Sequence, residues 1–206
     1  LSILPAPIAA RMKQGETTIA DSHPDVTVLV ADLVGFTTLS AHIDPEQLVY
    51  LMNEVFSAFD VLVERHGLEK IKTIGDAYMV AGGLLNPRPD HAEATAELAL
   101  DLQEEIERLN QLYDTSIRLR IGISTGPVVA GVIGRKKFAY DVWGEAVNFA
   151  CRLETTGEPG KIHIADATYD RLKDKFEFEK NHNVDGKGHG AQPAYWLGRR
   201  LELQPA

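Results

Sequence analysis

The chain has 206 residues, 44% of them hydrophobic and 25% charged, which suits one domain of ordinary size with a substantial core. A formal charge of −9 argues against a protein that grips nucleic acid without regard to sequence, whereas a small polyanion can still bind where local geometry supplies cations. The single cysteine, Cys151, excludes an internal disulfide and a cysteine-based zinc site and fits a reducing compartment. No run is long and apolar enough to span a bilayer, and none reads as a signal peptide. The first residue is Leu, so the chain is expected to be a piece of a longer protein.

The lead LPAPIAARMKQGE reads as a short helix and TTIADSHPD as a polar linker, giving a connecting segment over 1–23 and a domain over 24–206. VTVLVADLV (26–34) is a nearly continuous apolar run, as expected of a central strand buried on both faces. GFTTLS turns away from it. In DPEQLVYLMNEVFSAFDVLVERHG, Asp44 is the expected N-cap, Pro45 the first helical residue, Gln47 the partner in a capping box and Gly67 the stop. Leu48, Leu51, Val55, Phe59 and Leu62 repeat at helical spacing. Strands are expected over 69–74 and 77–83, joined at Gly75-Asp76. NPRPDHAEATAELALDLQEEIERLN is a second amphipathic helix, with Asp90 and Glu93 at its start. SIRLRIGISTG and PVVAGVIG read as the two strands of a hairpin. GEAVNFACRLETT is a third helix, KIHIAD a strand, ATYDRLKDKF a helix, and FEFEK and AYWLGRR closing strands. Strand–helix–strand–strand–helix–strand is the ferredoxin-like order. The expected fold is therefore α+β, a ferredoxin-like βαββαβ core with additional C-terminal strands and helices.

Several residues are out of place for simple packing. Asp32 ends a strand that should be buried, where an unpaired carboxylate is costly. It either caps the turn that follows or shares a task with Asp76. The ferredoxin-like order puts the first strand in the centre, beside the hairpin strand that precedes Gly75-Asp76, so both carboxylates can reach one point. Two carboxylates at one sheet edge suit divalent cations, magnesium with a phosphate substrate above all. The turn after Asp32 offers backbone N–H groups to phosphate oxygens. Arg120 lies within an apolar strand and shares parity with Arg118, which also fits a solvated face. Asn148 and Arg152, four apart on a helix, share one face. They form either its wet side or a pair that orients a sugar and neutralises a reacting phosphate.

Together, VLVADLVGFTTLS, EKIKTIGDAYMVAGGL, LRIGISTGPVVAGVIG and YDVWGEAVNFACRLE resemble the catalytic domain of class III nucleotidyl cyclases, in order and spacing, over roughly 24–200. The pattern is most similar to bacterial adenylyl cyclases related to the mammalian membrane enzymes, and the lead resembles the linker that joins such domains to upstream modules. The resemblance implies an adenylyl cyclase that converts ATP to 3′,5′-cyclic AMP and pyrophosphate by in-line attack of the ribose 3′-oxygen, with two divalent cations, Mg2+ or Mn2+. Asp32 and Asp76 would hold the two cations, helped by the carbonyl of Leu33. Gly35, Phe36 and Thr37 would cradle the triphosphate, and Arg120 would contact it. Asn148 would position the ribose and Arg152 would stabilise the transition state. Lys72 and Asp141 would read the base: Lys72 donates to adenine N1 and Asp141 accepts from N6, whereas guanine reverses both roles.

The resemblance also implies a homodimer with two head-to-tail sites, each drawing on both chains, in the cytoplasm, with a sensor or membrane module upstream. Two positions depart from the family pattern. Asp185 stands in VDGKG where a triphosphate-contacting lysine is usual, leaving Lys187 or Arg120 to take that role, and Val30 stands where Phe is common. A guanylyl cyclase is the alternative that Lys72 and Asp141 oppose. A non-catalytic regulatory or dimerisation domain on the same fold is the other, opposed by the presence of both aspartates and of the Asn148/Arg152 pair.

Overall fold

Alternate residues of the first strand bury into two different cores. Leu29, Ala31 and Leu33 join one apolar cluster and Val26, Val28 and Val30 the other. That is the packing a continuous apolar strand requires, and Val30, in the second cluster, is a packing residue as its position suggests. The computed structural model describes residues 4–36, 39, 41, 43–134, 138–186 and 190–202. Its elements in chain order are α1 (Ala6–Lys13), β1 (Ala20–Val34), α2 (Pro45–Arg65), β2 (Glu69–Ile74), β3 (Ala77–Gly82), α3 (His91–Tyr113), β4 (Arg118–Ile133), β5 (Ala139–Trp143), α4 (Glu145–Thr155), β6 (Ile162–Ala165), α5 (Asp166–Leu172), β7 (Phe176–Lys180), β8 (Val184–Asp185), β9 (Ala191–Gln192) and β10 (Ala194–Arg200).

The main sheet runs β2-β3-β1-β4-β6-β10-β7, with β5 also on β4, while β8 and β9 form a separate small hairpin. Its first four strands, with α2 and α3, are the ferredoxin-like core, and the later strands extend that sheet, so the α+β expectation holds. Helices α2 and α3 cover one face, with Leu51, Val55, Phe59 and Leu62 turned inward as their spacing predicts. Helices α1 and α4 with β5 cover the other, through Ile8, Tyr140, Val142 and Val147. Among the described residues no helix is long and apolar enough to cross a membrane.

Three local expectations are corrected. Residues 118–133 form one strand, not a hairpin. Gly126 and Pro127 do not turn, because β1 pairs with β4 on both sides of them. On its other edge β4 pairs with β6 at Ile121–Ile123 and with β5 at Val129–Ile133. Pro127 lies between those segments and opposite an irregularity at His23–Val26, where its missing N–H costs little. The true hairpin is β4–β5. Second, the stretch expected as linker carries the start of β1, with Ala20–His23 paired to Val128–Gly131. Third, Asp44 and Asp90 occupy N-cap positions without a side-chain cap bond. Asp90 instead accepts from Arg88 Nε and Nη2, one on each carboxylate oxygen, both at 2.6 Å.

Close approach of helix to sheet is set by one glycine. A Cβ on Gly122 would lie 2.2 Å from the carbonyl oxygen of Ala150 and 2.3 Å from the nitrogen of Glu154. The backbone of α4 therefore rests directly on β4, which determines where every polar residue of that helix points.

Candidate active site

The carboxylates come first. β1 pairs with β3, the strand that follows the Gly75-Asp76 turn, and not with β2, which precedes it. This corrects the expected neighbour and brings the two acids closer. Asp32 sits opposite Ala77, and the Leu33 N–H donates to the Asp76 carbonyl at 3.3 Å. The Asp76 carboxyl lies near enough to Asp32 for its charge to be felt there. Burial first, then the charges of Glu154 and Asp76, push the Asp32 carboxyl up to about 6, against the pull of Arg120. A half-buried carboxylate pair that repels itself in this way fits a divalent cation, which would relieve the repulsion.

That energetic cost has a sign that can be measured in the metal-free protein. A carboxyl raised in the fold contributes stability that is complete below its unfolded value near 4 and lost as pH rises through about 6. Asp32→Asn should therefore stabilise the chelator-treated protein at pH 7.5 by on the order of 2 kcal/mol in urea unfolding, with the gain vanishing below about pH 4. No gain at pH 7.5 would contradict the assigned strain.

Arg120 faces Asp32 across the β1–β4 register. Its Nη2 donates to Asp32 Oδ2 at 3.1 Å and its Nε to Glu154 Oε1 at 2.7 Å. Arg118, of the same parity, is exposed, whereas Arg120 is partly buried against its two carboxylate partners. Gly35 follows β1 with φ +93, a conformation that favours glycine, and Phe36 is buried beneath the turn. Leu39 N–H donates to the Gly35 carbonyl at 2.9 Å. Thr37 and Lys187 lie outside the described residues.

The second group of residues is built on β2, β5 and α4. Lys72 Nζ donates to Asp141 Oδ2 at 2.5 Å, and Asp141 Oδ1 accepts from the Val142 N–H at 2.8 Å. Asp141 is nearly buried, so its orientation is determined by these two donors. α4 forms one wall of a groove of about 700 Å³, lined by Asn148, Cys151, Arg152, Asp185 and Gly186 among others. Asn148 and Arg152 thus share the groove, as their spacing predicts. Arg152 Nε is buried and has no hydrogen-bond partner among the described residues. A buried donor without a partner on a groove wall suits an anionic ligand. Lys72 and Asp141 do not line the groove, although Cys151 on its wall lies within the electrostatic reach of Lys72. Neither Asp32, Asp76 nor Arg120 lines it.

One residue of this centre was not singled out from the sequence. Glu154 is a buried acid, 8% exposed, and bonds Arg120. The sequence carries a faint sign of it: Glu154 falls four residues after Ala150, on the buried stripe of α4.

The family model for the adenylate and guanylate cyclase catalytic domain matches residues 18–199, and the chain belongs to that family. It is 45% identical over 206 residues to an adenylate cyclase of Mycobacterium tuberculosis, covering 99% of its own length and 46% of that relative's. The chain thus spans less than half of that relative, which is a longer protein. Among solved structures, the guanylate cyclase domain of RhGC from Catenaria anguillulae superposes with a TM-score of 0.84 at 35% identity, covering 88% of this chain and all of that one. The adenylyl cyclase CyaB from P. aeruginosa superposes with a TM-score of 0.83 at 25% identity, over 90% and 97% of the two chains.

Proposed function

We propose that this chain is the catalytic domain of an adenylyl cyclase, which converts ATP to 3′,5′-cyclic AMP and pyrophosphate. The observation that carries the reading is the Lys72–Asp141 pair, closed between β2 and β5. A lysine donor next to a carboxylate acceptor complements the adenine edge, with its N1 acceptor and N6 donor, and opposes the guanine edge. The name of the mycobacterial relative supports the same choice.

Asp32 and Asp76, with the carbonyl of Leu33, would hold two divalent cations, Mg2+ or Mn2+. The cations would supply charge neutralisation on the triphosphate and a lowered pKa for the attacking hydroxyl. The chain's own groups bind and orient. Lys72 and Asp141 seat the base, and Asn148 holds the ribose so that its 3′-oxygen lies in line with the α-phosphorus. The 3′-hydroxyl gives its proton to solvent, the 3′-oxygen–phosphorus bond forms as the bond to the bridging oxygen breaks, and pyrophosphate leaves with that electron pair. Arg152 neutralises charge on the α-phosphoryl oxygens, and Gly35, Phe36 and Thr37 hold the leaving phosphates, with Arg120 or Lys187 in the role of the usual lysine. Incubation with ATP and with GTP, followed by separation of the cyclic nucleotides, tests the reading. Cyclic GMP as the main product would refute it.

The site is proposed to be shared between two copies. Neither Asp32 nor Asp76 lines the groove that holds Asn148 and Arg152 of the same chain. Trp143 and Asp141 share one face of β5, opposite Val129 and Gly131 of β4, and Trp143, Val129 and Ile133 are exposed. That apolar stripe, continuous with the base-reading pair, suits a second copy of the chain. A head-to-tail homodimer then has two sites, each with Asp32 and Asp76 from one chain and Lys72, Asp141, Asn148 and Arg152 from the other. Asp32→Ala and Arg152→Ala should each be nearly inactive. Mixed in equal amounts with free exchange, they should recover roughly a quarter of wild-type activity, because half the dimers are mixed and half their sites intact. A mixture as inactive as its components, with exchange demonstrated, would exclude the shared site. The segment that precedes β1 is proposed to connect the catalytic domain to a sensor or membrane module of the parent protein, with this domain in the cytoplasm.

A further inference from the structure

Arg120 and a divalent cation compete for one carboxylate. The guanidinium bonds Asp32 Oδ2 through Nη2. If Asp32 holds a cation, that contact must yield. An arginine anchored to Asp32 alone would then either exclude the cation or swing away from the site once displaced. The structure provides a second anchor. Arg120 Nε–H donates to Glu154 Oε1 at 2.7 Å, on the side of the guanidinium away from its tip. Glu154 is buried in the last turn of α4, and that turn is pinned to β4 by the missing Cβ of Gly122. The stem is confined too, since a Cβ on Gly157 would lie 3.2 Å from Arg120 Cγ.

We propose that Glu154 is a positioning residue, holding Arg120 by Nε so that the guanidinium gives up Asp32 to a divalent cation without leaving the site. Its freed Nη edge then turns to the phosphates. The inference rests on the reading of Asp32 as a cation ligand. It also gives Glu154 a reach requirement: charge in the vicinity is not enough, because the carboxylate must meet Nε.

Mn2+ titration of the nucleotide-free chain, followed by the EPR signal of free Mn2+, tests this without relying on turnover. Where Arg120 is present, Glu154→Gln should raise the Mn2+ Kd about tenfold, since the guanidinium then depends on Asp32 alone; in an Arg120→Gln background the same change should matter less than about twofold. A carboxylate acting only through its field would show the reverse order, because removing Arg120 leaves its charge unscreened. Glu154→Asp, which keeps the charge and loses one methylene of reach, should also weaken Mn2+ binding, and it serves as the second variant if Glu154→Gln does not fold. Equal factors in both backgrounds, or unchanged binding in Glu154→Asp, overturn the inference. Loss of binding in Asp32→Asn keeps the cation reading intact in that event, whereas binding that survives Asp32→Asn overturns both.

Discussion

Asp32→Ala and Asp76→Ala should each lower cyclase turnover by about a thousandfold or more, because a cation at the reacting phosphate is worth several kcal/mol of transition-state stabilisation. The fold should survive. Asp32 is a strained group in the metal-free state, and Arg120 keeps Glu154 as a partner when Asp32 is gone. Cooperative urea unfolding alongside lost activity at saturating Mn2+ is the expected pair of results. Appreciable cyclic AMP formation by either variant would remove the two carboxylates from the mechanism.

The second large effect concerns the base. Lys72→Glu should reduce kcat/KM for ATP by about a hundredfold or more, since a carboxylate cannot donate to N1 and a mismatched polar edge in a closed site is costly. The structure adds a reason for damage beyond the lost donor. Lys72 lies 2.5 Å from Asp141, so a glutamate there would set two carboxylates against each other. Pairing it with Asp141→Cys removes that repulsion and should shift the ratio of GTP to ATP use upward. Unchanged ATP kinetics in Lys72→Glu would show that Lys72 does not read the base.

The parts of the site that were legible in the sequence are those encoded by short-range spacing. Asn148 and Arg152 lie on one helical face because 3.6 residues make a turn, and the groove they share follows from that. Asp32 was conspicuous because a carboxylate ends a strand buried on both faces. Glu154 was not, because a single acid on a short amphipathic helix looks like part of its wet side until its partner Arg120 is known.

The sequence by itself determined most helices and strands, the two-sided burial of β1 and the α+β class, because hydrophobic periodicity and turn residues act within a few positions. It did not decide whether Gly126-Pro127 turns. That depends on β1 running alongside β4 across the whole region, and partner strands are not encoded locally. Only the tertiary structure placed β3, not β2, against β1 and so brought Asp76 to Asp32. Only docking of α4 on Gly122 brought Glu154 to Arg120, and only the approach of β5 to β2 closed the Lys72–Asp141 contact. Each of these pairings joins residues far apart in the chain. Their distances are determined by strand order and by how closely a helix can lie on a sheet, quantities that no local pattern of residues contains.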